Sequence, residues 1–290
     1  LNINFLKTFI TAASHSSFSE AADILHLTQP AVSRQIAALE QDLGVRLFDR
    51  IGRRVQLTEA GAILLPKAQH LLDIAADMRR AVSSLGDEVS GNLVMGTSHH
   101  IGLHRLPPVL RDFSRLYPMV DLDIRFLGSE AVCAAVTQGA LEMGVVTLPA
   151  EASEQLRTVP LWDDPLRVVV SLSHPLSHET PVELSTLLEY PAILPSRGTF
   201  TRDMVERTIA PTELRIETRL STDYLETLKM LVSVGLGWSM LPATLLGPEL
   251  KTLDIPELRL TRSLGAIFHH RRTLSNAARA MLELCQSNTR

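Results

Sequence analysis

Gln29, Ser33 and Arg34 fall on one face of a segment that reads as a helix, and they carry the chemistry of base-edge recognition. Glutamine pairs bidentately with adenine and arginine with guanine, while serine bonds a base or a phosphate. Thr28 and Pro30 open the same segment, the first as a cap and the second in a first turn that loses no intrahelical donor. The free N–H groups of such a helix start suit a phosphate. A second set combines small and hydroxyl-bearing residues: Thr97, Ser98, Thr147, Ser196, Gly198 and Thr199, with His99 and His100 beside the first pair. All six fall where short apolar strands end or helices begin. Hydroxyls and helix N–H groups gathered at one cleft suit a small anion, with a carboxylate the obvious candidate.

The elements that must hold these residues are legible on either side. Ala21, Ala22 and Leu25 mark one face of a short helix that Ser19 is expected to cap, and the pattern stops at His26-Leu27. Val32, Ile36, Leu39 and Leu43 then follow at helical spacing, and Gly44 ends the second helix. A short helix, a tight turn and a longer helix with one buried face make a helix-turn-helix. Phe5, Leu6, Phe9, Ile10 and Ala13 put a packing helix over Asn2 to Ser14, with Lys7 and Thr8 on its other face, open to phosphate or to solvent.

Beyond Gly44, Val45 to Leu57 reads VRLFDRIGRRVQL, with Leu47 and Phe48 available to the core and Gly52 to a turn between two short strands. Arg50, Arg53 and Arg54 cluster there, as side chains drawn to phosphate or to the negative minor groove. The run SFSEAADILHLTQPAVSRQIAALEQDLGVRLFDR from Ser17 to Arg50, followed by VQLTEAG from Val55 to Gly61, resembles the N-terminal domain of the LysR-type transcriptional regulators. The length and layout of the whole chain are similar to that family. The resemblance implies a winged helix-turn-helix over residues 1–58 and a homodimer or dimer of dimers on interrupted palindromes in double-stranded DNA. RNA polymerase is a further partner that it implies.

Charge agrees only locally with a DNA partner. The chain carries a net charge of −4. Residues 1–58 hold six Lys or Arg against five Asp or Glu, and the remainder 22 against 27. The positive charge is therefore concentrated on Arg34 and the wing, which favours more than one subunit on the DNA. Apolar residues make up 45% of the chain and charged ones 21%, enough for ordinary cores. Two cysteines, an N-terminus without signal-peptide character and no membrane-length apolar run point to a cytoplasmic protein with no membrane partner.

Residues 59–86 form the longest helical pattern. Leu64, Leu71 and Met78 repeat every seven residues, with Ala68 and Ala75 three before the latter two, as in an a/d seam between subunits. The resemblance implies the same, a linker helix that pairs two chains. After the hinge Gly86 to Gly91, short apolar strands alternate with helices over residues 87–290, hence an α/β domain with parallel strands. Two similar halves are expected, subdomain I at about 92–162 and 266–290 and subdomain II at about 163–265, with the chain crossing near 160–165 and 265. This arrangement resembles the family's effector domain, itself similar to periplasmic solute-binding proteins, where ligands sit between the halves. The resemblance points to Thr97 and Ser98 most firmly.

Other chemistries find less support. His100 and His104 have metal-binding spacing on a helix, but Pro107 and Pro108 argue against a regular helix there, so the sequence assigns no metal. Cys133 and Cys285 read as structural, because the region matching the peroxide-sensing branch of the family, Pro195 to Asp203, lacks cysteine. No G-x-S-x-G, H-E-x-x-H or phosphate-binding glycine loop is present, so no catalytic residue and no cofactor beyond an effector are assigned. A helix-turn-helix fused to an enzyme for a small carboxylate is the alternative. A purely architectural DNA protein would not need the second half of the chain.

Overall fold

A computed structural model describes residues 1–51, 54–83, 89–151, 153–179 and 181–289, apart from the side chains at 50, 51, 54, 70, 73, 76, 77 and 79–83. The chain divides into two compact units, Leu1–Gly86 and Asp87–Arg290.

In the first unit α1 (Ile3–His15) opens at Asn2, whose side chain accepts the Asn4 N–H. α2 (Phe18–Leu25) is capped by Ser17, not Ser19: the Ser17 hydroxyl accepts the Glu20 N–H at 3.3 Å. Starting two residues earlier places Phe18 inside the helix and in the core. His26 takes the left-handed conformation, φ 53°, and ends α2. α3 (Gln29–Leu43) begins after Thr28, which occupies the capping position without a side-chain capping hydrogen bond, and ends at left-handed Gly44. Leu6, Phe9, Val32, Ile36, Leu39 and Leu47 fill the core. The Phe48 ring packs against Phe9 and Phe18, with centroids 5.4 Å apart in both pairs. Thr8 is buried, its hydroxyl within hydrogen-bond distance of Asn4 O and of the Gln35 side chain, so it ties α1 to α3 instead of facing phosphate.

β1 (Phe48–Ile51) and β2 (Arg54–Leu57) pair antiparallel, Ile51 opposite Arg54. Glu40 Oε1 accepts the N–H groups of Leu47 and Phe48 and anchors this hairpin to α3. Thr58 then starts α4 (Glu59–Ser83), accepting the Gly61 N–H and donating to Arg46 O at 2.7 Å. A Cβ at Gly61 would collide with the Leu47 carbonyl oxygen, so glycine allows helix and hairpin to close together.

α4 corrects part of the expected subunit seam. Ala68 is fully buried in the core of the first unit and Leu64 packs against that core. Among its described residues the large apolar side chains left exposed are Ile63, Leu71, Ile74 and Met78, with Ala75 half-buried. The drift between a heptad and a 3.6-residue helix is only about 20° per repeat, so the difference is one of position along the helix: the small first domain claims Leu64 and Ala68, nearest to it, and leaves Leu71 and Met78 exposed.

The second unit runs β3 (Gly91–Thr97), α5 (His99–His104), α6 (Leu106–Leu116), β4 (Val120–Phe126), α7 (Ser129–Thr137), β5 (Met143–Thr147) and β6 (Leu156–Ser171). It continues with α8 (Leu184–Leu188), β7 (Ala192–Leu194), α9 (Phe200–Ile209), β8 (Thr218–Ser221), α10 (Leu225–Ser233), β9 (Ser239–Pro242), β10 (Leu250–Leu253), β11 (Thr261–His269) and α11 (Asn276–Ser287). β3 lies parallel to both β4 and β5, as the alternating pattern requires. β6 is the long crossing strand. Its first part pairs antiparallel with β11, and its last part with β9 and β10. The core changes along it: Leu161 and Trp162 belong with Leu93, Met95 and Phe113, whereas Leu166 and Val168 belong with Leu194, Trp238 and Met240. Returning, Leu260 packs on the second core and Leu264 in the first. Two differences from the sequence reading stand out. The sequence LRIET, residues 214–218, has the apolar alternation of a strand, but only its last residue is in one: β8 spans Thr218–Ser221, and Glu213 before the segment is left-handed at φ 60°. His99–His104 is helical, because Pro107 and Pro108 fall in the first turn of the next helix, where proline costs no hydrogen bond. Among the described residues no helix is long and apolar enough to cross a membrane.

Candidate functional site

On the first unit, Thr28, Gln29, Pro30 and Arg34 are exposed and Ser33 is half-buried at the start of α3. Gln29 Nε2 donates to Ser33 Oγ at 3.1 Å, and Arg34 Nε donates to the Pro30 carbonyl at 3.3 Å. Both side chains therefore lie along the helix surface, each held by one exposed hydrogen bond. The inner face of α3 is fixed by Val32, Ile36 and Leu39 in the core. The helix thus presents its polar N-terminal face as one rigid piece. Arg53 and the side chains of Arg50 and Arg54 lie outside the described residues.

In the second unit a cavity of about 420 Å³ opens between the two cores. Of the sequence-selected residues, Ser98, His99, His100, Thr147, Ser196 and Thr199 line it. Thr97 does not. It is fully buried, and its hydroxyl donates to Val145 O at 2.9 Å, locking β3 to β5. Gly198 does not line it either; at φ 86° it shapes the turn in which Thr199 Oγ1 donates to Ser196 O at 2.8 Å. Neighbouring Arg197 points to solvent and sits 3.8 Å from Glu206.

Four helices begin at this cavity. α5, α7 and α10 have no side-chain capping hydrogen bond, while α9 is capped by Thr199, which accepts the Arg202 N–H at 3.3 Å. The first N–H groups of a helix have no partner within it, so the wall of the cavity is positively polarised. Arg262 adds a full charge. It is buried, chelates Asp164 through Nε and Nη2, and donates from Nη1 to Thr201 Oγ1 on α9 at 3.1 Å. Two acids also line the cavity. Glu130 Oε1 accepts the Phe200 N–H, and Asp223 Oδ1 accepts the Ser196 N–H at 2.9 Å. Ser129 Oγ accepts the Thr147 N–H.

Arg262, Ser129, Glu130, Asp223 and Tyr224 are lining residues absent from the sequence reading. The strand-end rule that selected Ser98 and Thr147 reaches Ser129 when applied to β4 and Tyr224 when applied to β8. A charged residue inside the apolar strand TRSLGAIF was the available signal for Arg262.

His100 is almost fully buried, and its pKa is lowered to about 4, first by desolvation and then by the Arg262 charge, against the opposing pull of Asp164. It is neutral at ordinary pH. α5 also brings the His100 and His104 rings to 4.8 Å, beside Glu226 of α10. Both cysteines are buried and free, their thiols pushed up by burial to about 11 at Cys133 and about 12 at Cys285, so neither is a ready nucleophile.

Comparison with known proteins agrees with both halves of this arrangement. A family model described as the LysR substrate binding domain matches residues 86–290, and one described as a bacterial regulatory helix-turn-helix protein of the lysR family matches residues 3–62. The uncharacterized HTH-type transcriptional regulator YeiE of Escherichia coli is 31% identical over 290 residues, covering 98% of this chain and 97% of its own. A probable RuBisCO transcriptional regulator of Synechocystis is 30% identical over 288 residues, covering 96% and 83%. Among solved structures, full-length CbnR complexed with its target DNA superposes with a TM-score of 0.72 at 22% identity, covering 99% of this chain and 100% of that one. Full-length OxyR from Pseudomonas aeruginosa superposes with a TM-score of 0.71 at 24% identity, covering 100% and 95%. The chain belongs to the LysR family and is a DNA-binding transcriptional regulator with an effector-binding domain.

Proposed function

We propose that this regulator responds to a small carboxylate bound in the cavity between its two α/β subdomains, and that it acts in the cytoplasm as a homo-oligomer on DNA. One observation carries the effector reading: α7 of subdomain I and α10 of subdomain II begin without side-chain caps at the same cavity, beside buried Arg262. An anion there takes N–H groups from both subdomains together with the Ser98 hydroxyl, while Thr199, whose hydroxyl is held by Ser196 O and the Arg202 N–H, fixes the start of α9 beside it. It would favour one relative orientation of the halves, and a ligand shifts an equilibrium only by such differential binding. Gln29, Ser33 and Arg34 approach base edges, Thr28 and Pro30 place the start of α3 at a phosphate, and Arg50, Arg53 and Arg54 engage the backbone or minor groove. Binding without turnover is the reading for the cavity, since its residues supply no activated nucleophile beside a base.

The test is isothermal calorimetry of the full chain against a set of small carboxylates, with product analysis of each bound compound. The expected result is saturable binding of one compound, weakened in Ser98→Ala and Thr199→Ala, with DNA affinity of the free variants unchanged. Full effector response in both variants would place the ligand elsewhere, and conversion of the compound would revive the enzyme reading.

A further inference from the structure

We propose that His100, His104 and Glu226 form a binding site for a divalent first-row transition-metal ion, which ties subdomain I to subdomain II at the rim of the cavity. The two histidines stand four residues apart on α5, and Glu226 lies in the first turn of α10. His104 Nε2 is 3.0 Å from Glu226 Oε1 and His100 Nδ1 is 3.9 Å from the same oxygen. One ligand atom from each residue lies within 4.8 Å of the other two. Ligands about 2.0–2.2 Å from a tetrahedral zinc stand roughly 3.3–3.5 Å apart, so small rotations of these side chains close the site.

A second observation points the same way. The His100 side chain is 5% exposed, yet its Nδ1 has no hydrogen-bond partner among the described residues. A buried nitrogen lone pair without a partner is costly, and coordination to a metal satisfies it. The other ring nitrogen, Nε2, lies 3.4 Å from Thr244 Oγ1 of subdomain II. A histidine ligand ordinarily donates its second N–H to such an oxygen, which orients the ring and leaves the opposite lone pair for the metal. His104 and Glu226 are partly exposed, so an ion enters from solvent and keeps at least one position for water.

Two imidazoles and a carboxylate suit zinc, cobalt or nickel better than calcium or magnesium. Because the ligands come from both subdomains, a bound ion holds them in one relation. This inference does not rest on the identity of the organic effector.

The experiment uses the full chain, stripped with a chelator and titrated with Co(II), followed by visible absorption and then by displacement with Zn(II). The expected result is a single equivalent of Co(II) with visible ligand-field bands, displaced by Zn(II). His104→Ala and Glu226→Gln, both at partly exposed positions and checked for fold by circular dichroism, should each weaken binding at least about tenfold. Absence of stoichiometric binding by the parent chain overturns the proposal. So does binding unchanged in the double variant, which would put the ion on other histidines such as His269 and His270.

Discussion

The carboxylate of Glu130 accepts the backbone N–H of Phe200 at 2.5 Å, so a side chain from α7 of subdomain I closes the first turn of α9 in subdomain II. The contact joins the two halves across the cavity and supplies the negative charge that a helix start favours. Glu130→Ala should lower the stability of the second unit by about 1–2 kcal/mol, and Glu130→Gln, which retains an acceptor, by less. Trp162 and Trp238, both in the second unit, provide the fluorescence signal for urea unfolding. Equal midpoints for all three proteins would show that the contact contributes nothing.

The Asp164–Arg262 pair should be the most sensitive point of that unit. Asp164 is fully buried, takes two N–H groups from Arg262 and has Arg105 at 3.6 Å. Asp164→Ala strands a buried guanidinium and should cost about 3–5 kcal/mol. Replacing both partners together with apolar residues should cost less than Asp164→Ala alone, since no unpaired charge remains. Chemical denaturation of the two variants compares them directly.

At the DNA face, Arg34→Ala should weaken operator binding by about 1–3 kcal/mol and relax preference at one position per half-site. Arg53→Ala with Arg54→Ala should weaken binding more evenly across sequences and flatten its salt dependence. Anisotropy titrations at several salt concentrations separate the two behaviours, and unchanged curves would remove these residues from the interface.

Position along α4 should decide whether a substitution breaks assembly or folding. Met78 is 66% exposed on an apolar stripe with Leu71, whereas Ala68 is fully buried. Leu71→Arg with Met78→Arg should leave the first unit folded and shift sedimentation toward the monomer. Ala68→Arg should unfold that unit, because its core has no room for the side chain. A double variant that sediments unchanged would reject the stripe as a subunit contact.

His174 should make stability depend on pH. Its Nδ1 accepts the Leu176 N–H, its ring packs on Tyr190, and burial lowers its pKa from 6.5. The unfolded chain therefore takes up the proton first, so the neutral ring's contribution is present above about pH 6.5 and declines as pH falls below it. His174→Asn, which keeps a short acceptor at the same turn, should flatten that decline in thermal melts between pH 7 and 5.

The first unit was largely readable from the chain because its determinants are local. Val32, Ile36 and Leu39 repeat at helical spacing, Gly44 supplies a left-handed stop, and Gln29 and Arg34 are the polar residues left over on the outer face. The alternation after Gly91 likewise pointed to parallel strands, which β3 forms with β4 and β5, since a strand buried on both faces reads as an apolar run. Tertiary structure decided what depends on distant partners. Thr97 and Ser98 are neighbours with similar side chains, yet β5 captures the first while the second faces the cavity. Ala68 fits a heptad as well as Met78 does, but the small first core covers only the nearer one. Arg262 becomes part of a cleft only when β11 returns beside β6 and sets it against Asp164, 98 residues away in sequence. Residue type and spacing specify which face of an element is polar. Which polar group then meets water, a ligand or another side chain depends on packing between segments far apart in the chain.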